Sequence, residues 1–430
     1  MDVAIVGAGF SGLWTAYFLQ ELDPSLSIAV LDREFAGFGA SGRNGGWVSP
    51  YFSASWSQLQ EVFGEQTTVR FAREMLDVVD EVGTRVSELG ISCHYTKAGS
   101  ISLMRNQSQV KRAMEEFSNL QRRGIGGGAR LLDARDADDV LKVSYVHGAS
   151  FTSQCATVDP ARLVRGLADA VEARGAVIYE NSPVEEVGDG FLRVGAHRLS
   201  ASSIIVATEG YTSELKRWKR QLLPLYSMMI VTEPLSDRQY EAIGSPELGL
   251  CFADYRHLVI YGQITHDRRI AFGGRGAPYH RGSSVHRNFD THGPTRKALH
   301  RELIALMPAL QDVRIVRHWG GPLGVARDWQ PRVVQESGTS LWRIGGYGGD
   351  GVSTSLLAAK VTAHAVLGRS DASAAAVVFR RSPRAWEPEP LRWLGVNAGL
   401  MLTRLLDTLE DRGVAPRSLE RVWESLTGQS

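Results

Sequence analysis

The sequence predicts an α/β protein of two domains. One is assembled discontinuously around strand–glycine loop–helix units, and the other is an α+β domain on an antiparallel sheet. Three observations predict this. Residues 1–32 read as strand, glycine turn, helix, strand; "LWRIGGYGGDGVSTSLLAAKVTAHAVLG" near the C-terminus repeats that logic; and strand-rich chain with helical excursions lies between them.

Val3 to Val6 form a short apolar run, followed at once by Gly7-Ala-Gly-Phe-Ser-Gly12. "FSGLWTAYFLQEL" then has helical spacing, with Leu13, Ala16, Tyr17 and Leu19 inward and Pro24 just past its end. "SIAVLD" (27–32) is the second strand, which completes a βαβ unit. Trp56 to about Leu89 reads as a charged-faced helix, and helical signal returns over Gln107–Arg123 before the glycine turn "GIGGGA" (124–129). In "DPARLVRGLADAVEARG" Asp159 is the expected N-cap, Pro160 the first helical residue and Gly175 the stop. Strand-like alternation follows in "AVIYENSPVEEV" and "FLRVGAHRLSASSIIVATEG". Leu222–Gly276 is strand-rich with a short helix at Ser236–Ala242, and Thr291–Leu310 is helical.

The 430 residues favour two domains or one elaborated one. A formal net charge of +1 gives no electrostatic reason to expect nucleic acid or an anionic membrane. Cys93, Cys155 and Cys251 lie far apart without metal-ligand spacing and read as reduced thiols. The early first strand leaves no room for a signal peptide, and no apolar run approaches a membrane span of roughly 20 residues. A cytoplasmic location is the expectation.

Gly7, Gly9 and Gly12 match the dinucleotide fingerprint of a Rossmann-like unit. The first makes the tight turn, the second admits a pyrophosphate and the third lets helix and strand approach. Asp32 ends the next strand, 20 residues after Gly12, where a carboxylate accepts ribose hydroxyls. A nicotinamide enzyme would continue with further βα units. This chain instead spends "FAGFGASGRNGGWVSP" on a second glycine-rich loop beside a flat ligand part, which points to a flavin dinucleotide. The loop Gly345-Gly-Tyr-Gly-Gly-Asp-Gly351 and the helix from about Ser353 supply donors where a reduced flavin accumulates charge.

At these residues the chain resembles the D-amino-acid oxidase, glycine oxidase and sarcosine oxidase family of FAD enzymes. "GFGASGRNGG" and "GYGGDGV" most resemble the gamma-glutamylputrescine oxidase-like branch. The likeness runs from Met1 to about Gly368, with "VDPARLVRGLADAVEARG", "VATEGYTSEL" and "IAFGGR" supporting it. It implies that Phe10 and Ser11 meet the pyrophosphate, Asp32 and Arg33 the ribose, and Ala40 and Ser41 a phosphate. Arg43, Asn44, Gly45, Gly46 and Trp47 would run along the flavin, and Val184 would hold adenine through its backbone. Gly346, Tyr347, Gly348, Gly349, Asp350, Gly351, Val352 and Ser353 would line the pyrimidine end. Arg43, Asn44, Tyr261, Trp319 and Asp350 are the candidate catalytic residues, and no metal is called for.

Departures from the family pattern refine the expectation. The positions at which relatives link flavin covalently hold Arg43 and a Cys-free stretch, His318–Pro331, so the FAD is expected to be non-covalent. "RIAFGG" (269–274) lacks the oxygen-activating Lys of sarcosine-oxidase-like members. Tyr261-Gly-Gln263 replaces a Tyr-x-Arg carboxylate clamp, with Arg256 and Arg275 as nearby alternatives. Tyr255, Tyr261 and Trp319 have the character of an aromatic cage for an amine and equally that of core. Asp350 suits an ammonium or a solvated loop alike, and His280, His286 and His292 read as surface residues.

The expected domains are 1–50, 150–225 and 320–372 for FAD, 51–149 and 226–319 for substrate, and 373–430 as an extension. That extension opens Pro-rich and continues as an amphipathic helix whose apolar surface is Trp393, Leu394, Val396, Leu400 and Leu405. It packs on the body or makes a homodimer contact or a weak membrane contact. The expected reaction is oxidation of an amine C–N bond to an imine, with O2 reoxidising the flavin to give H2O2. A dehydrogenase using another acceptor, and a flavin-binding protein without turnover, are the alternatives.

Overall fold

The computed structural model describes residues 1–126, 128–274, 276–381 and 384–427. The opening βαβ unit forms as the glycine spacing predicts. Strand Val3–Val6 pairs in parallel with Ile28–Leu31 on one side and Ser203–Val206 on the other. The full sheet runs Arg332–Gln335, Leu341–Gly345, Ser203–Val206, Val3–Val6, Ile28–Leu31, Val177–Tyr179, with only the first strand antiparallel. Helix Phe10–Leu22 is buried from Phe10 to Gln20, not along the single face its spacing suggested. It is sandwiched between the sheet and the helices Gly351–Val366 and Pro160–Ala173, so every side of it meets protein. Gly12 permits that contact, because a Cβ there would sit 2.0 Å from the Gly7 carbonyl oxygen.

A second sheet has eight strands in the order Ile315–Val325, Leu223–Thr232, Ile270–Gly274, Ile260–Ile264, Cys251–Asp254, Ser100–Met104, Gly148–Thr152, Arg130–Leu132. It departs from the wholly antiparallel expectation, because Cys251–Asp254 pairs with Ser100–Met104 in parallel. Chain from the two halves of the protein is thereby joined edge to edge, and residues some 150 positions apart share one surface. The predicted cap holds at Asp159, which accepts the Arg162 N–H with Pro160 opening the helix; Ser236, read as the first helical residue, is instead an N-cap that closes a capping box with Gln239. The turn "GIGGGA" includes Gly127, which lies outside the described residues.

The C-terminal helix Leu391–Asp411 half-buries Val396 and Leu400 of its expected apolar surface and leaves Trp393, Leu394 and Leu405 exposed. It buries Arg392, Gly399, Thr403, Leu406 and Glu410 while Leu391, Trp393, Leu394, Met401 and Leu405 are exposed. Partner charges explain this: Arg392 bonds Glu389, and Glu410 bonds Arg112. Among the described residues no helix is long and apolar enough to cross a membrane.

Candidate active site

Two contiguous cavities, each of about 320 Å³, open between the sheets and share Ala40, Asn44, Leu323, Gly349 and Val352 in their walls. The first follows the glycine turn, lined by Gly7, Gly9, Phe10, Ser11, Asp32, Arg33, Ser41, Val184 and Tyr347 among others. The N-cap of helix Phe10–Leu22 is Gly9 and that of helix Gly351–Val366 is Asp350; neither helix has a side-chain cap. Both N-termini border the cavities, so their positive ends face the space where phosphate and the electron-rich edge of a flavin would lie.

This cradle fits FAD by its geometry. A Cβ on Gly9 would meet Ser41 Oγ at 2.8 Å, so backbone alone borders the cavity there. Asp32 Oδ2 accepts the Ala8 N–H at 2.8 Å and Oδ1 accepts the Glu34 N–H at 2.9 Å, which fixes the carboxylate at the cavity edge. Arg33 lines the same cavity but spends its guanidinium on Glu214 and the face of Tyr211. The Tyr347 and Ser11 hydroxyls lie 2.7 Å apart, joining the C-terminal glycine loop to the N-terminal turn.

The loop 39–46 is a strut between the two sheets. Ser41 Oγ accepts the Phe10 N–H, Asn44 donates to the Ser41 and Ala40 carbonyls, and the Gly46 N–H donates to Asn44 Oδ1. At its far end Gln263 donates to the Gly45 carbonyl at 2.6 Å and the Trp47 indole to the Gly262 carbonyl. Gln263, standing where a carboxylate clamp was sought, therefore braces the loop. Arg256 is likewise committed, to Asp254 and Glu302. Arg275 lies outside the described residues.

The second cavity gathers Arg43, Asn44, Gly45, Trp47, Tyr51, Ser102, Glu116, Ser227, Met229, Asp254, Tyr255, Tyr261 and Asp350. Four of the five candidate catalytic residues meet here. Trp319 does not: its indole N–H donates to the Arg43 carbonyl at 2.9 Å, behind the loop. Gly12, Gly46, Gly346, Gly348 and Ser353 also stand behind the cavity walls, as packing and hydrogen-bonding residues. Arg43 pairs with Asp290 at 2.7 Å and stacks on Phe38. Of the three histidines read as surface residues, His280 is half-buried and stacks on Phe289, and His292 caps helix Gly293–Leu306. His286 is exposed.

Sequence reasoning missed Glu209, which is buried at the junction of three segments. Its carboxylate accepts N–H bonds from Gly324, Gly346 and Tyr347, and burial pushes its pKa up to about 7. A signal existed in "VATEGYTSEL", where Glu209 also adopts a left-handed backbone, φ 43°. Tyr51, Ser102, Glu116 and Asp254 were missed as well. Burial pushes Asp254 up to about 7 despite Arg256 and Arg105 beside it.

The match to the DAO family, FAD dependent oxidoreductase, covers residues 2–365. Among curated proteins the chain is similar to the probable oxidoreductase OrdL of Haemophilus influenzae, at 25% identity over 94% of this chain and 92% of that protein. It is also similar to the gamma-glutamylputrescine oxidoreductase of Escherichia coli, at 26% identity over 86% and 84%. Glycine oxidase from Geobacillus kaustophilus shares the fold, with TM-score 0.74 and 18% identity over 86% of this chain and 96% of that one.

Proposed function

This chain belongs to the DAO family of FAD-dependent oxidoreductases, and from that premise we propose that it oxidises a C–N bond of a small-molecule amine to an imine. The substrate is a primary or secondary amine or an amino-acid derivative, and the two electrons and two protons removed pass to O2 as H2O2. FAD, when bound, supplies the two-electron chemistry. The glycine turn, Asp32 and Ser41 would hold its nucleotide part, and residues 43–47 and 349–352 its ring, without a covalent link. No Cys or His lines either cavity among the described residues, which supports that last point.

One observation carries the choice of an amine. The cavity beside the flavin loop has carboxylates and aromatic rings in its wall, and its arginine, Arg43, is already neutralised by Asp290. Tyr51, Tyr255 and Tyr261 line the cavity and would help to desolvate and hold an amine, and Asp350 would draw positive charge toward the loop. The amine reacts unprotonated, so no side chain is needed to abstract a proton from carbon. A second reading is a dehydrogenase that passes electrons to a carrier; the absence of lysine from the cavity walls among the described residues favours it.

Anaerobic mixing with a panel of amines, followed by air, tests both. An oxidase bleaches and recovers its yellow colour within a turnover; a dehydrogenase bleaches and recovers slowly. A flavin that no amine bleaches would overturn the reading.

A further inference from the structure

We propose that the cavity holds a second subsite, at Glu116, for a cationic group several carbons from the reacting nitrogen, so that diamines and longer polyamines are the preferred substrates. This rests on the amine-oxidising reading above and goes beyond it by naming the substrate class and the residue that selects it.

Among the described residues, the charges in the cavity wall are unequal in their compensation. Arg43 is paired with Asp290, and Asp254 with Arg256 at 3.0 Å. Glu116, on helix Gln107–Arg122, has no Lys, Arg or His paired with it among the described residues. Glu116 keeps much of its surface accessible where it lines the cavity, although the protein around its carboxyl disfavours the charge. Burial raises its pKa, and the neighbouring Tyr255 hydroxyl offsets this only in part. Tyr51 lines the same cavity, close enough to feel its charge.

The nearest cation along the helix, Arg112, is one turn away and is withheld. Its guanidinium bonds both oxygens of Glu410 and the Tyr255 carbonyl. A carboxylate that faces a cavity without a cationic partner can pair with a ligand cation, which favours its charged form.

The register gives the reach. Gly45, in the flavin loop, abuts Tyr261 on strand Ile260–Ile264, where a Cβ would lie 2.6 Å from the ring. Ser102, which lines the same cavity as Glu116, is two strands further across the sheet. Two strand spacings are about 10 Å. An alkyl chain with terminal amines spans such a gap. A monoamine leaves Glu116 unsatisfied, and a distal carboxylate is repelled.

The test uses holoenzyme and anaerobic flavin reduction by butylamine, by terminal diaminobutane and diaminohexane, and by aminobutanoate. The diamines are expected to exceed butylamine by about 10- to 100-fold in second-order reduction rate, with aminobutanoate the slowest. Glu116→Gln is expected to bring the diamines down to the butylamine level measured in the same variant. Glu116→Asp should keep the preference and shift it to the longer diamine. Equal wild-type rates for butylamine and the diamines would overturn the proposal, as would an undiminished preference in Glu116→Gln.

Should the Gln variant fail to bind stoichiometric flavin, the wild-type panel and Glu116→Asp decide. A readout free of turnover separates this proposal from the amine reading. Bis(trimethylammonio)butane cannot form an imine, and it should perturb the flavin absorbance at about 10-fold lower concentration than butyltrimethylammonium. Equal titrations would sink the subsite even in an active amine oxidase. A difference that disappears in Glu116→Gln would uphold it even if no amine in the panel is oxidised.

Discussion

Glu410 grips the Arg112 guanidinium with both carboxylate oxygens, at 2.5 and 2.8 Å, across 298 residues of chain. Arg112 in turn donates to the Tyr255 carbonyl at 2.7 Å, and Asp407, one turn before Glu410, accepts the His257 and Leu258 N–H groups. The C-terminal helix lies beyond the family match, which ends at residue 365. It nonetheless braces the turn that carries Tyr255 into the wall of the second cavity.

That relationship gives a pH prediction. Arg112 and His257 hold the Glu410 carboxyl at about 2, below its ordinary 4.5. A depressed carboxyl stabilises the fold above the unfolded value and loses that contribution as pH falls from about 4.5 toward 2. The stabilisation is about 3 kcal/mol. Glu410→Ala should therefore lower the denaturant midpoint at pH 7 and flatten the acid limb of the stability profile. An acid limb unchanged in slope would place the pair outside the cooperative unit.

The glycines of the first turn should fail differently. Gly9→Val puts side-chain atoms into the space beside Ser41, so the protein should keep its helical circular dichroism and lose flavin absorbance. Gly12→Ala places a methyl 2.0 Å from a backbone oxygen and should lower expression and melting temperature even without flavin. Stoichiometric FAD in Gly9→Val would show that the cofactor does not cross this turn.

Glu209 carries a prediction of opposite sign. Its folded pKa of about 7 lies above the ordinary 4.5, so folding takes up a proton between those values. The stability of the flavin-free protein should fall as pH rises through that window and level off above it, with a span of at most about 3 kcal/mol. Glu209→Gln should remove this slope. It should also weaken FAD binding, because the amide NH2 opposes one of the three N–H groups that the carboxylate now accepts. Identical pH profiles for wild type and variant would rule out this titration.

Acid precipitation should release all the FAD into the supernatant, since no thiol or imidazole borders the cavities among the described residues. Yellow pellets would mean a covalent bond.

What was legible in the sequence follows from distance along the chain. The glycine turn and the cap at Asp159 are local, because backbone sterics and nearby N–H groups dictate them. The far wall of the second cavity is not local. Glu116 reads as one more charge on the polar face of a helix. It meets Tyr255 through the parallel pairing of Ser100–Met104 with Cys251–Asp254, which no periodicity announces. The polar burial of the C-terminal helix was not legible for a related reason. An apolar stripe predicts its own burial, but here Glu389 and Arg112, both outside the helix, pulled charged residues inward.

Asp32 offers the sharpest test of how the nucleotide is held, because its carboxylate both fastens the turn and lines the first cavity. Its Oδ2 fastens the Ala8 N–H inside the glycine turn and its Oδ1 the Glu34 N–H, while the carboxylate also faces the cavity where a ribose would lie. Loss of a hydrogen bond to a charged group costs about 1.5–3 kcal/mol. Asp32→Ala should therefore weaken FAD binding by roughly 10- to 100-fold. The turn bonds exist without FAD, so the flavin-free variant should also melt earlier than flavin-free wild type. The second cavity is walled by other segments, so the flavin reduction rate at saturating FAD should remain near that of wild type. Asp32→Asn separates the two jobs. Its amide retains one acceptor oxygen for the turn but turns a donor toward the other partner, so part of the melting loss should return. Weakened FAD binding with an unchanged flavin-free melting temperature would assign Asp32 to the ribose alone. Earlier melting with unchanged FAD affinity would assign it to the turn alone.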